Sequence, residues 1–147
     1  MERFTLSAAL LCAGALLSGA AQAVEIRQFD KMATQDRSDY VASLVIGTQQ
    51  VLTDEGRPDL ADQIHKLFTE TPVGDEASIG MTEFMRNLAR ARVADAERAA
   101  KDPNAHRLEV EDAMLVTLQK NNIPPSSAFV RDFRAINNNF QPKSPPQ

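Results

Sequence analysis

Cysteine occurs once in this chain, at Cys12, and that one falls inside an apolar N-terminal run. The region beyond it therefore offers no disulfide, no thiolate nucleophile and no Cys-ligated metal. The two histidines, His65 and His106, belong to no His-x-x-His or Glu-x-x-His pair, so helical zinc and di-iron arrangements lack their ligands. Both are expected to be solvated. Tryptophan is absent, tyrosine is single, and the net charge is −4 with no long run of either sign. That balance argues against a nucleic-acid or anionic-membrane partner, which would favour a basic stripe interleaved with aromatics. No Gly-rich phosphate loop, G-x-S-x-G elbow or EF-hand pattern is present. The expectation is a protein without cofactor, metal or catalytic residues.

What is present begins with an export signal. Residues from Phe4 to Val24 carry no charge, the most apolar part is Ala8 to Leu17, and Ala21-Gln22-Ala23 forms an A-x-A cleavage signature. The pattern predicts a secretory signal peptide over residues 1–23, cleaved rather than kept as a membrane anchor. Removing it leaves 147 less 23, or 124 residues, in an exported chain that is periplasmic if the cell has an outer membrane and secreted otherwise. A chain of that size buries roughly two thirds of its unfolded surface, enough for one core.

The remainder reads as helices. Residues 24–33 have apolar positions without a sustained period and are expected to form a tethered arm, with Phe29 or Met32 stapled onto the first helix. Thr34 is the expected N-cap of a helix over about Gln35–Glu55, whose stripe is Tyr40, Val41, Leu44, Val45, Thr48, Val51 and Leu52; Gly56 stops it. Gly47, at one edge of that stripe, offers room for a close helix contact. Pro58 opens a second helix with Leu60, Ile64, Leu67 and Phe68, and the short link predicts an antiparallel hairpin. Thr71 to Gly80 is expected to be a loop, followed by a third helix over Met81–Ala100 that ends before Asp102-Pro103. Asn104 is the expected cap of a fourth helix with Leu108, Met114, Leu115 and Leu118, stopped at Asn121-Asn122. Pro125 and Ser126 start a short fifth one, and residues 138–147 form a polar, Pro-rich tail expected to be disordered. The predicted class is all-α: a small helical bundle of two helical hairpins plus a short C-terminal helix, spanning residues 34–137.

One anomaly stands out within the third helix. At about 100° per residue, Met81, Phe84, Met85, Leu88, Ala91 and Ala99 share a face, and Arg92 and Asp95 fall inside it. Glu111 sits between Leu108 and Leu115 on the fourth stripe, and pairing across Asp102-Pro103 brings it to the level of Arg92 and Asp95. Arg92, Asp95 and Glu111 are thus the candidate buried polar cluster, either an ion pair fixing helix register or a pocket for a small anion. Tyr40 is a candidate donor to an internal carboxylate. Met32, Met81, Met85 and Met114 are soft side chains suited to the core or to an adaptable groove. Arg86 and Arg90 are interleaved with Glu83 and Glu97 on the outer face, which reads as a solvated, salt-bridged surface. Together these readings predict a small exported binding protein without catalytic activity. Its partner is a protein, as for an inhibitor or immunity-type factor, or alternatively a small anionic ligand held around Arg92.

Overall fold

The computed structural model describes residues 23–123 and Val130. Among residues 23–123 five helices follow one another: α1 (Ile26–Phe29), α2 (Thr34–Asp54), α3 (Pro58–Thr69), α4 (Ile79–Lys101) and α5 (Val110–Lys120). Among the described residues there is no strand, only an isolated antiparallel bridge between Glu25 and Glu109. None of these helices is long and apolar enough to cross a membrane. Of the leader predicted over residues 1–23 only Ala23 is described, and of the short helix predicted from Pro125 only Val130, which is helical and packs against the core; the tail over 138–147 lies outside the described residues.

The first hairpin forms where the sequence places it. Gly56 takes a φ of +75°, which a residue with a side chain rarely adopts, and Arg57 N–H reaches back to the Leu52 carbonyl at 2.8 Å. Pro58 then opens α3 at a position where no amide donor is needed. The chain crosses to α4 through residues 70–78, where Ser78 caps the new helix by accepting from Met81 N–H at 3.1 Å. The helix thus starts two residues earlier than expected, and Gly80 lies inside its first turn. A Cβ at Gly80 would stand 2.8 Å from both Cγ and the carbonyl oxygen of Leu67, so α4 approaches α3 as closely as only glycine permits.

The second hairpin differs from its expected form. α5 begins at Val110, not next to Asn104, and its N-cap is Glu109, which exchanges hydrogen bonds with Asp112 in a capping box. Residues 102–109 form a link that turns at 103–105, where Ala105 N–H donates to the Asp102 carbonyl at 2.9 Å, and runs on without helix to Glu109; His106 is exposed within it. The reason lies in the N-terminal arm. Ile26 N–H donates to the Leu108 carbonyl at 3.1 Å and Val110 N–H to the Val24 carbonyl at 2.9 Å, which draws residues 108–110 into extended pairing. Glu25 is in turn the N-cap of α1, again through a capping box, with Gln28. Two helices therefore spring from one bridge. The arm is a part of the core and more than a tether: Ile26, Phe29 and Met32 are all buried.

Helix α2 supplies the centre of the core, with Tyr40, Leu44, Val51 and Leu52 recurring at helical spacing and essentially without exposure. The Thr48 hydroxyl is satisfied within the helix by the Leu44 carbonyl at 2.7 Å. Helix α2 packs on α3, α3 on α4, and α4 on α5. Thr34, read as an N-cap, is instead the first helical residue; Ala33 occupies the cap position, and no side chain caps this end of α2.

Candidate functional site

The structure does not gather Arg92, Asp95 and Glu111 into one cluster. The expected level is right, since Asn87 faces Thr117 across the α4–α5 hairpin (2.9 Å) and Asn121 faces Glu83 (3.2 Å), a register that sets Glu111 near the height of Arg92. The directions differ. Arg92 points outward and its Nε and Nη2 each bond a different Asp30 oxygen at 2.8 Å, with 45% and 36% of the two side chains exposed. These bonds, which Arg92 donates to Asp30, hold the guanidinium's pKa above its ordinary value, against a smaller opposing effect of burial. A site for an anion at Arg92 is thus already filled by the protein's own carboxylate.

Asp95 is buried, with 3% exposure, and belongs to a different set. Arg107 donates to it from Nη2 at 2.6 Å and from Nε at 3.1 Å, and Leu108 N–H adds a bond at 2.8 Å. The Arg107 bonds hold the Asp95 carboxyl below the usual carboxylate range; burial pushes the other way, and the Leu108 amide reinforces the lowering. Sequence reasoning missed Arg107 because a helix from Asn104 would have turned it elsewhere.

Glu111 is fully buried and faces α2, where the Tyr40 hydroxyl lies 2.8 and 2.7 Å from its two oxygens. Burial first, and then the Glu111 carboxylate, push the Tyr40 phenol far above its ordinary range, so it stays an O–H donor. The expected role of Tyr40 as donor to an internal carboxylate is what the structure shows. Asn87 and Thr117, which the periodicity passed over, form a further buried polar pair, and Lys120 reaches Asn87 Oδ1 at 3.2 Å. On the outer face of α4 Arg86 and Arg90 make no ion pair with the described residues, so the expected salt-bridged surface is absent there. These polar groups link one element to another.

The cavity lies elsewhere, along α2. A groove of about 530 Å³ is floored by Val41, Ala42, Val45 and Ile46. Phe29 of α1, Phe68 of α3, and Met81 and Met85 of α4 wall it. Thr34, Arg37 and Ser38 lie towards the start of α2 and Gln49 towards its end, so the floor is apolar in the middle and polar at both limits. The α2 positions recur three or four residues apart, forming a straight stripe on one face of the helix. From Thr34 to Gln49 that stripe is about 22 Å long at the helical rise of 1.5 Å per residue. Ile46 and Met85 are exposed at its edges, at 66% and 48%. Four methionines were legible as groove or core candidates; Met81 and Met85 line the groove, and Met32 and Met114 are buried in the core. Among the described residues no group of three His, Cys, Asp or Glu is placed to hold a metal ion. The chain matches no known protein family, curated protein or solved structure.

Proposed function

We propose that this chain is an exported binding protein without catalytic activity, and that its ligand site is the groove on α2. The observation that carries the reading is a continuous apolar channel left open beside a well-filled core, with Ile46 and Met85 bare at its edges. Its volume is of the order common to small-molecule sites. Among the described residues its polar groups are hydroxyls, one amide and one guanidinium, which suit holding a ligand and include no general base. Export rests on the A-x-A signature after the apolar run.

The length and apolar lining of the groove suit an elongated ligand. The apolar positions of the floor follow one another along a single helix face, which suits an extended aliphatic ligand lying parallel to α2. The alternative expectation of a carrier thus gains support at a new location, away from Arg92.

A fluorescence titration with N-phenyl-1-naphthylamine, a neutral apolar probe, tests the reading. Saturable one-site binding is expected in the natural protein and should vanish in Ala42→Phe, which fills the floor, and in Ile46→Glu, with thermal unfolding unchanged. Binding that is unsaturable, or equal in both variants, removes the groove as the site.

A further inference from the structure

We propose that the ligand of the α2 groove is a free long-chain carboxylate, its tail along Val41 to Ile46 and its head group on Arg37. The proposal rests on the groove reading above and adds the chemical class and orientation of the ligand. Among the described residues Arg37 is the one charged side chain lining the groove. It is half-buried, and among the described residues it forms no ion pair. Its contacts are two long hydrogen bonds of 3.3 Å, to the Asp30 carbonyl and to the Thr34 hydroxyl. A guanidinium has five N–H donors, so the larger part of its fork remains unused.

The surrounding acids do not neutralise it. The Asp30 carboxylate spends both oxygens on Arg92. Asp36 is buried away from the groove and Asp39 accepts from Gln35 on a neighbouring face. The other limit of the groove is neutral, at Gln49. This asymmetry fixes the direction of an amphiphile: head towards Thr34, Arg37 and Ser38, tail towards Gln49.

A carboxylate is the head group of choice because a planar fork meets two coplanar oxygens, and one cation balances one negative charge. A phosphate monoester head group fits less well, since among the described residues no lysine or further arginine lines the groove to meet its second negative charge.

Competition against N-phenyl-1-naphthylamine provides the test, with hexadecanoate and hexadecan-1-ol as matched competitors kept below their aggregation limits. Hexadecanoate is expected to displace the probe at one site and to bind on the order of tenfold more tightly than the alcohol, as for a charge-assisted hydrogen bond. Arg37→Gln should erase that difference while leaving the alcohol's affinity unchanged, and Arg37→Lys should restore part of it. Equal affinities for acid and alcohol in the natural protein, or equal weakening of both by Arg37→Gln, overturn the head-group assignment and leave the groove standing. If the probe itself finds no saturable site, the groove reading has failed as well. Co-sedimentation with vesicles of phosphatidylcholine and phosphatidylglycerol, together with no displacement by hexadecanoate, overturns the proposal in favour of a membrane lipid.

Discussion

Asp95 and Arg92 lie three residues apart on one helix, and their ion pairs have opposite worth. Asp95 is buried and receives an arginine fork and a backbone amide, whereas the Arg92 pair stands half in water. Asp95→Asn is expected to lower stability by about 2 kcal/mol at neutral pH, since it weakens a charge-assisted set inside the protein. The pH dependence follows from the lowered carboxyl. A carboxyl whose folded pKa lies below its unfolded value of about 3.9 stabilises the fold above that value, and the gain is lost as pH falls through the folded pKa. Urea unfolding between pH 7 and pH 2.5 should therefore show the gap between natural protein and Asp95→Asn constant down to about pH 4 and narrowing below it. Arg92→Met, by contrast, should cost less than about 1 kcal/mol in the same assay at neutral pH, as exposed pairs do. A loss of 3 kcal/mol or more there would indicate a buried pair, contrary to the geometry.

Periodicity gave the heights of these residues and not their partners. The spacing on α4 put Arg92 and Asp95 near the apolar stripe, but a side chain at the margin of a stripe can turn to either neighbour. Arg92 turned to Asp30, 62 residues away, a pairing that no local signal encodes.

At the scale of elements, most of the architecture was written locally. Gly56 with Pro58, and Asn122 with its φ of +62°, end or begin helices by backbone chemistry that acts within a few residues. What local signals misjudged are the places where distant chain intervenes. Asn104 is a competent cap by type, yet pairing with the arm keeps residues 106–109 extended and moves the start of α5 to Val110. The groove was legible only in part: the methionines suggested one, but the α2 stripe of Val41, Val45 and Ile46 reads equally as core. A helix pattern tells which residues are apolar and not which of them a neighbour covers. Gly80 provides a test at this scale. Gly80→Ala forces a methyl against Leu67 backbone, which cannot swing aside, and should destabilise by about 2 kcal/mol as overpacking does. Because the same substitution favours an isolated helix by about 1 kcal/mol, a net stabilisation in thermal or urea unfolding would contradict the close α3–α4 approach.

The whole molecule depends on its arm. Ile26 has 1% exposure, and with Phe29 and Met32 it joins the same buried cluster as Tyr40, Phe84 and Met114. Ile26→Ala is expected to cost about 3 kcal/mol, the range for emptying a core site, in equilibrium unfolding followed by far-ultraviolet circular dichroism. A peripheral tether would lose under about 1 kcal/mol.

The bridge between Glu25 and Glu109 also imposes an order of events. Its hydrogen bonds join Ile26 to Leu108 and Val110 to Val24, positions more than eighty residues apart, whereas the α2–α3 turn closes across three. Local helical hairpins form quickly, and a loop of this length is slow and entropically costly to shut. A chain emerging from its N-terminus therefore leaves the amide of Ile26 and the carbonyl of Val24 without these partners until residue 110 has followed. Completion of the fold is in effect a check that nearly the whole domain has arrived.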